Sequence, residues 1–184
     1  KAGREKSATR RHPWVFSGAI DNVLGDPSLG DSVEIYSYAG DFLGMGAYSP
    51  SSQIRARFWN FEEKRIIDKE FLSKVLDQAI ASRHSRGFDV SDKQNAFRLV
   101  NAENDGIPGC IIDKYGPYFS IEILSAGAEV FREIIFKLLA EKTGCTGIIE
   151  RSDSEVPTKE GLPLRKEVAY GNVPTDPVPM NENG

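Results

Sequence analysis

The chain has 184 residues, of which 40% are hydrophobic, and its 23 Lys+Arg against 27 Asp+Glu give a net charge of -4. That is enough apolar material for one ordinary domain or two small ones, and the acidic balance argues against a protein that coats itself in nucleic acid. The longest apolar stretch, GAEVFREIIFKLLAEK, is broken by charges and falls short of the roughly 20 residues a membrane helix needs, which excludes a membrane span of that kind.

The two cysteines, Cys110 and Cys145, sit among small or apolar neighbours and read as reduced thiols of a cytoplasmic protein. Neither their spacing nor that of His12 and His84 suits a metal site. The N-terminus has neither a methionine nor the apolar core of a signal peptide. The chain therefore reads as part of a longer protein.

Charge is unevenly spread. Residues 1 to 60 carry seven basic and six acidic side chains, and five of the basic ones fall within the first twelve residues against Glu5 alone. This cluster runs straight into Pro13-Trp14-Val15-Phe16, and large aromatics at the end of a basic run mark an anchored segment, since they gain only when something covers them. The positive field is concentrated at one end, where a polyanion can read it.

From Ser32 to Trp59 three short runs, VEIYSY, FLGMGAY and IRARFWN, are rich in β-branched and aromatic residues and are separated by AGD and SPSSQ. They predict a small β unit, with Gly44-Met45-Gly46 marking a bulge or a close backbone approach rather than a cofactor loop. Alternation in IRARFWN sets Ile54, Ala56 and Phe58 on one face and Arg55, Arg57 and Trp59 on the other. The face with two guanidiniums and an indole is either an ordinary half-buried strand surface or part of a binding face.

After Asn60 the period becomes helical. Asn60 and Glu63 stand at capping-box spacing, and Ile67, Phe71 and Val75 with Leu72, Leu76, Ala79 and Ile80 predict one amphipathic helix over 61–85, stopped by Gly87. FRLVN, the turn-rich NAENDGIPG and CIIDKYGPYFSIEIL then read as strand, loop and hairpin, with Gly116-Pro117 at the turn. A second helix is predicted from Ala128 to Thr143, ended by Gly144, and GIIER as a short strand. From Val156 the text loosens, and the prolines after Gly171 argue against a further helix or packed element.

No stretch carries a G-x-G-x-x-G between strand and helix. Glu103, Asp105 and Asp113 can hold a cation or act as acid and base, but acidic residues in a turn such as NAENDG more often cap backbone groups.

GREKSATRRHPWVFSGAI, FLGMGAYSPSSQIRARFW, FRLVNAENDGIPGCIIDKYG, IIERSD with KEGL, and the closing PVPMNENG resemble, in that order, the front part of the ribosomal RNA large-subunit methyltransferase I family. The resemblance implies an S-adenosylmethionine-dependent enzyme that methylates carbon 5 of a cytosine in 23S rRNA. It implies a fold of α+β class: a small mixed β pseudobarrel of PUA type over residues 1–60, a linking helix over 61–90, and a central α+β domain over 91–184. The Rossmann-like catalytic domain, with its methyl-donor pocket and nucleophilic cysteine, is then expected to be absent from this chain, so that Cys110 and Cys145 match no catalytic position. Val156-Pro157-Thr158 stand where the family tends to place an arginine.

The resulting expectations are specific. The chain is the RNA-docking part of the methyltransferase, inactive by itself, with no cofactor of its own and S-adenosylmethionine bound by the parent protein. Arg4, Lys6, Arg10, Arg11 and His12, with Arg55 and Arg57 on the strand, meet RNA phosphates; the aromatics of a short helical turn at 13–16 pin that surface to the barrel. Partners are ribosomal RNA and, as an open assembly, a second copy in a homodimer; neither membrane nor DNA is expected, and the compartment is the cytoplasm. The alternative is a free-standing PUA-type RNA-binding or protein-interaction module without catalysis.

Overall fold

The computed structural model describes residues 1–4, 6–62 and 64–180. Glu63 and the terminal Asn181-Glu182-Asn183-Gly184, which the sequence reading used, lie outside the described residues.

The three β runs form a meander of β2 (Ser32–Tyr36), β3 (Phe42–Tyr48) and β4 (Ile54–Asn60), extended at the free edge of β4 by β1 (Trp14–Phe16). Every pairing in this four-stranded sheet is antiparallel, so the mixed character expected of the first unit is not there. Short turns leave consecutive strands no other option, since parallel pairing requires a long crossover. The bulge expected near Gly44-Met45-Gly46 is present, with the β3 to β4 register shifting between Met45 and Gly46. Gly44 has φ +152°, and a Cβ there would lie 2.4 Å from the Asn60 carbonyl oxygen.

The segment expected as a helical turn at Pro13 to Phe16 is instead strand β1, with Trp14 opposite Arg57 and Val15 opposite Ala56. The Phe58 N–H donates to the Pro13 carbonyl at 2.8 Å. A Trp-Val-Phe run fits a pleated surface better than a helix. The helical turn lies upstream, as α1 (Lys6–Thr9).

Helix α2 spans Lys69–His84, starting eight residues later than predicted. Asn60 cannot open it because its backbone belongs to β4, where it pairs with Met45. Its side-chain oxygen accepts from the Glu62 N–H instead, and the cap is Asp68, whose carboxylate accepts from Phe71 N–H at 2.8 Å. The buried row Phe71, Leu72, Val75, Leu76, Ala79 is the one the period gives.

A second, five-stranded sheet follows in the order β5 (Ala96–Asn101), β6 (Cys110–Tyr115), β7 (Tyr118–Ile123), β8 (Gly147–Ser152), β9 (Arg165–Gly171). It is mixed: β7 and β8 are parallel, joined by a helical crossover, and the other pairs are antiparallel. The crossover is two helices rather than one, α3 (Ala126–Val130) and α4 (Arg132–Thr143), parted at Phe131. The C-terminal region holds a short helix α5 (Val156–Lys159) and the edge strand β9, where no packed element was expected. β9 exposes Lys166, Glu167, Val168 and Tyr170, so its sequence lacks an apolar stripe.

Helices α2 and α4 cover one face of the second sheet, burying Leu99, Ile112, Phe119, Ile121 and Ile148. Ala47 and Trp59 of the first sheet belong to the same core. The contact runs through Gly127 of α3, where an added Cβ would lie 2.5 Å from that of Ala47 and 2.9 Å from the Trp59 indole nitrogen.

Candidate nucleic-acid interface

The basic opening forms a hook. α1 is exposed but for the half-buried Ala8, Arg11 has the left-handed φ of 59°, and the chain then reverses into β1. Arg4, Lys6 and Arg10 are exposed and make no side-chain hydrogen bond or ion pair among the described residues. Three cations with no partner among the described residues can exchange counterions for phosphates.

The other proposed contacts are placed differently. Arg11 meets Glu62 at 2.9 Å in a fully surface pair, 65% and 67% exposed, which contributes little to stability and leaves the guanidinium reachable. His12 Nδ1 accepts from the Trp14 N–H at 3.2 Å, and its ring sits edge-on to Trp14 at 5.7 Å, so it braces the hook. Arg55 is half-buried and donates to the Pro50 carbonyl.

Arg57 departs from the phosphate role expected for it. It is buried, and its guanidinium bridges Glu103 at 3.3 Å and Glu160 at 2.8 Å while lying over the Trp14 ring at 5.5 Å. Both faces of β4 are covered, because the second unit packs on the side that alternation alone assigns to solvent. Arg57 is thus a structural cation holding two carboxylates of the second unit.

Around Arg57 the polar groups converge. The Trp14 indole N–H donates to Glu103 Oε1 at 2.7 Å, and the Ser52 hydroxyl donates to Glu160 Oε1 at 2.6 Å. Glu103 comes from the 3-10 turn Ala102–Asp105 and Glu160 from the end of α5, so with β1 and β4 four separate segments meet. Sequence reasoning could not find this junction, since Trp14 and Glu103 are 89 positions apart.

The remaining acidic residues singled out from sequence are structural. Asp105 takes a two-pronged ion pair from Arg83 at 2.8 and 2.6 Å and accepts from Asn101 N–H. Burial pushes its carboxyl up, but the Arg83 and Asn101 hydrogen bonds win and hold it below the ordinary aspartate value. Asp113 pairs with Arg98 at 2.8 Å. Burial pushes the Cys110 and Cys145 thiols up, away from the reactive thiolate.

Beside the hook, an open groove of about 1010 Å³ runs along β2. Its lining holds Lys1 and Arg4 together with Asp21, Asp26, Asp31 and Glu34, so the groove is of mixed sign. A methyl donor does not fit the turn between β7 and α3, where the parallel crossover begins. The Ser125 hydroxyl there donates to the Pro108 carbonyl at 2.7 Å and accepts from Ala128 N–H, with Ser125 1% exposed and Gly127 packed on Ala47.

With this geometry in view, the likenesses to other proteins fall into place. Residues 1–61 match a PUA-like domain family. The chain is 46% identical over 182 residues to ribosomal RNA large subunit methyltransferase I of Aliivibrio fischeri, covering 99% of this chain and 46% of that protein. The protein of the same name from Aeromonas hydrophila is 47% identical over 182 residues, covering 99% of this chain and 45% of its own length. A structure described as a SAM-dependent methyltransferase from Streptococcus mutans superimposes with a TM-score of 0.74 over 95% of this chain and 43% of that chain, at 19% identity. A second methyltransferase structure, complexed with SAH, gives 0.73 over 94% of this chain and 42% of that chain, at 20% identity. These superpositions overturn the expectation that Rossmann-like methyltransferase architecture is absent: the helix-covered mixed sheet of the second unit belongs to a fold found in methyltransferase structures. The chain spans about half the length of the curated relatives it matches.

Proposed function

We propose that this chain docks RNA for an S-adenosylmethionine-dependent methyltransferase acting on ribosomal RNA of the large subunit, with carbon 5 of a cytosine as the methylated atom. The observation that carries the reading is the hook: Arg4, Lys6 and Arg10 are exposed and have no ion-pair partner among the described residues on a PUA-like unit, in a chain whose relatives bear that enzyme's name. Arg11 and His12 complete the phosphate-facing edge and Arg55 lies at its margin, while Arg57 belongs to the interior.

The division of labour is 1–60 as the RNA-contacting unit, 61–90 as the link and 91–184 as the central unit. The residues described contribute position rather than bond making, since both thiols are held protonated and the β7 to α3 turn is closed. S-adenosylmethionine is the methyl donor of the whole enzyme, in the cytoplasm.

Ultraviolet crosslinking of the 184-residue chain to large-subunit rRNA, followed by peptide mapping, tests the assignment. Crosslinks concentrated within residues 1–62 are expected. Crosslinks confined to the second sheet, or none above a bovine albumin control, would remove the hook from the interface.

A further inference from the structure

Arg11, with φ 59°, and Ala102, with φ 47°, are the non-glycine residues of positive φ among those described. They flank one contact: Arg11 lies three residues before Trp14 and Ala102 immediately before Glu103, and the Trp14 indole N–H donates to Glu103 Oε1 at 2.7 Å. Left-handed backbone costs a non-glycine residue roughly 1 kcal/mol or more and persists where surrounding contacts overdetermine it. Here both outliers present the two partners to each other.

The same carboxylate oxygen also receives Arg57 Nη1 at 3.3 Å, and Glu103 is only 17% exposed. Trp14 in turn braces the hook: its backbone N–H donates to His12, and its strand register with Arg57 fixes where residues 4–12 emerge. An uninterrupted series of contacts thus links the second unit to the basic segment, through Glu103, Trp14 and His12.

We propose that Glu103 is a positioning residue for RNA docking, holding the basic hook at a fixed place relative to the second sheet through the Trp14 indole. It touches no RNA itself. The inference rests on the RNA-docking reading of the hook and gives Glu103 a part that its place in an acidic turn does not announce. Its signature is a loss of affinity without a loss of phosphate contacts, because the cations remain and only their placement relaxes.

The test measures affinity for fluorescently labelled large-subunit rRNA against salt, for wild type, Glu103→Ala, Glu103→Gln, Trp14→Phe and the Arg10→Ala/Arg11→Ala pair. Glu103→Ala and Trp14→Phe are expected to weaken binding about tenfold, the scale of one hydrogen bond to a charged group, with the salt slope unchanged. Glu103→Gln keeps an acceptor for the indole and is expected to bind within about twofold of wild type, a small fraction of that hydrogen bond. The arginine pair lowers the slope itself. An indole N–H nuclear resonance spectrum of the same proteins, with two such groups in the chain, reports the contact without RNA: the Trp14 signal moves in Glu103→Ala and holds near its place in Glu103→Gln. If Glu103→Ala binds like wild type while the arginine pair is weakened, the positioning role is wrong and the docking reading stands. If the arginine pair also binds like wild type with an unchanged slope, the docking reading fails and the inference falls with it.

Discussion

Arg57 separates two kinds of arginine that sequence alone places together. Its side chain is 10% exposed and answers carboxylates from two elements of the second unit, so removing it takes the cation from buried Glu160 and half-buried Glu103. Arg57→Ala is expected to cost about 3–5 kcal/mol, the range for breaking a buried pair, read as a fall in chemical-denaturation midpoint. Arg10→Ala is expected to change stability by less than about 0.5 kcal/mol, as an exposed position with no ion pair among the described residues allows. Asp105 gives a pH-dependent case. Its folded carboxyl is held below the ordinary aspartate value, so its contribution is present above the unfolded value and is lost as pH falls through the lower, folded one. Asp105→Asn is therefore expected to be less stable than wild type near neutrality, with the gap closing as pH falls through the lowered folded value and the native carboxylate protonates. A gap of constant size in thermal melts across that range would contradict the assignment.

At the scale of elements, the hydrophobic period finds strands and helix faces, while capping and pairing decide where they stop. β2, β3 and β4, the Gly116-Pro117 hairpin and the buried row of α2 are all visible as periodicity. The start of α2 is not, because two Asx residues compete as caps and the loser, Asn60, is held in the β ladder that pairs β4 with β3. β1 is hidden for a similar reason: three residues carry little period, and its identity comes from the open edge of β4. β9 is hidden because an exposed edge strand with Lys166 and Glu167 protects itself from aggregation by abandoning the apolar pattern. The joint between the sheets depends on the smallest side chain. Gly127→Val would drive carbon into Ala47 and the Trp59 ring, and is expected to cost about 1–3 kcal/mol by overpacking. The Trp59 fluorescence spectrum would shift to the red as α3 lifts away from β3. An unshifted spectrum would show that the joint absorbs the added volume.

For the molecule as a whole, the distribution of charge matters more than its sum. A net charge of -4 conceals a basic hook at one end, and that much was legible as a cluster of Lys and Arg in the first twelve residues. What could not be read was which cations are spent inside. Arg57 meets Glu103 and Glu160 only after the chain has closed two separate sheets onto each other, and no local pattern announces a pairing of that range. The junction makes the two units one mechanical body, with the hook at its rim. The central claim is that Arg4, Lys6 and Arg10 contact phosphates, and the salt dependence of binding measures it most directly. Affinity of the chain for large-subunit rRNA is to be followed from about 50 to 200 mM salt for wild type, for Arg4→Ala/Lys6→Ala/Arg10→Ala and for the distant surface control Lys137→Ala. The account predicts that the triple variant flattens the slope of log affinity against log salt by roughly 0.7 to 1 per lost contact, with the control unchanged. A triple variant that kept the wild-type slope and affinity would contradict it.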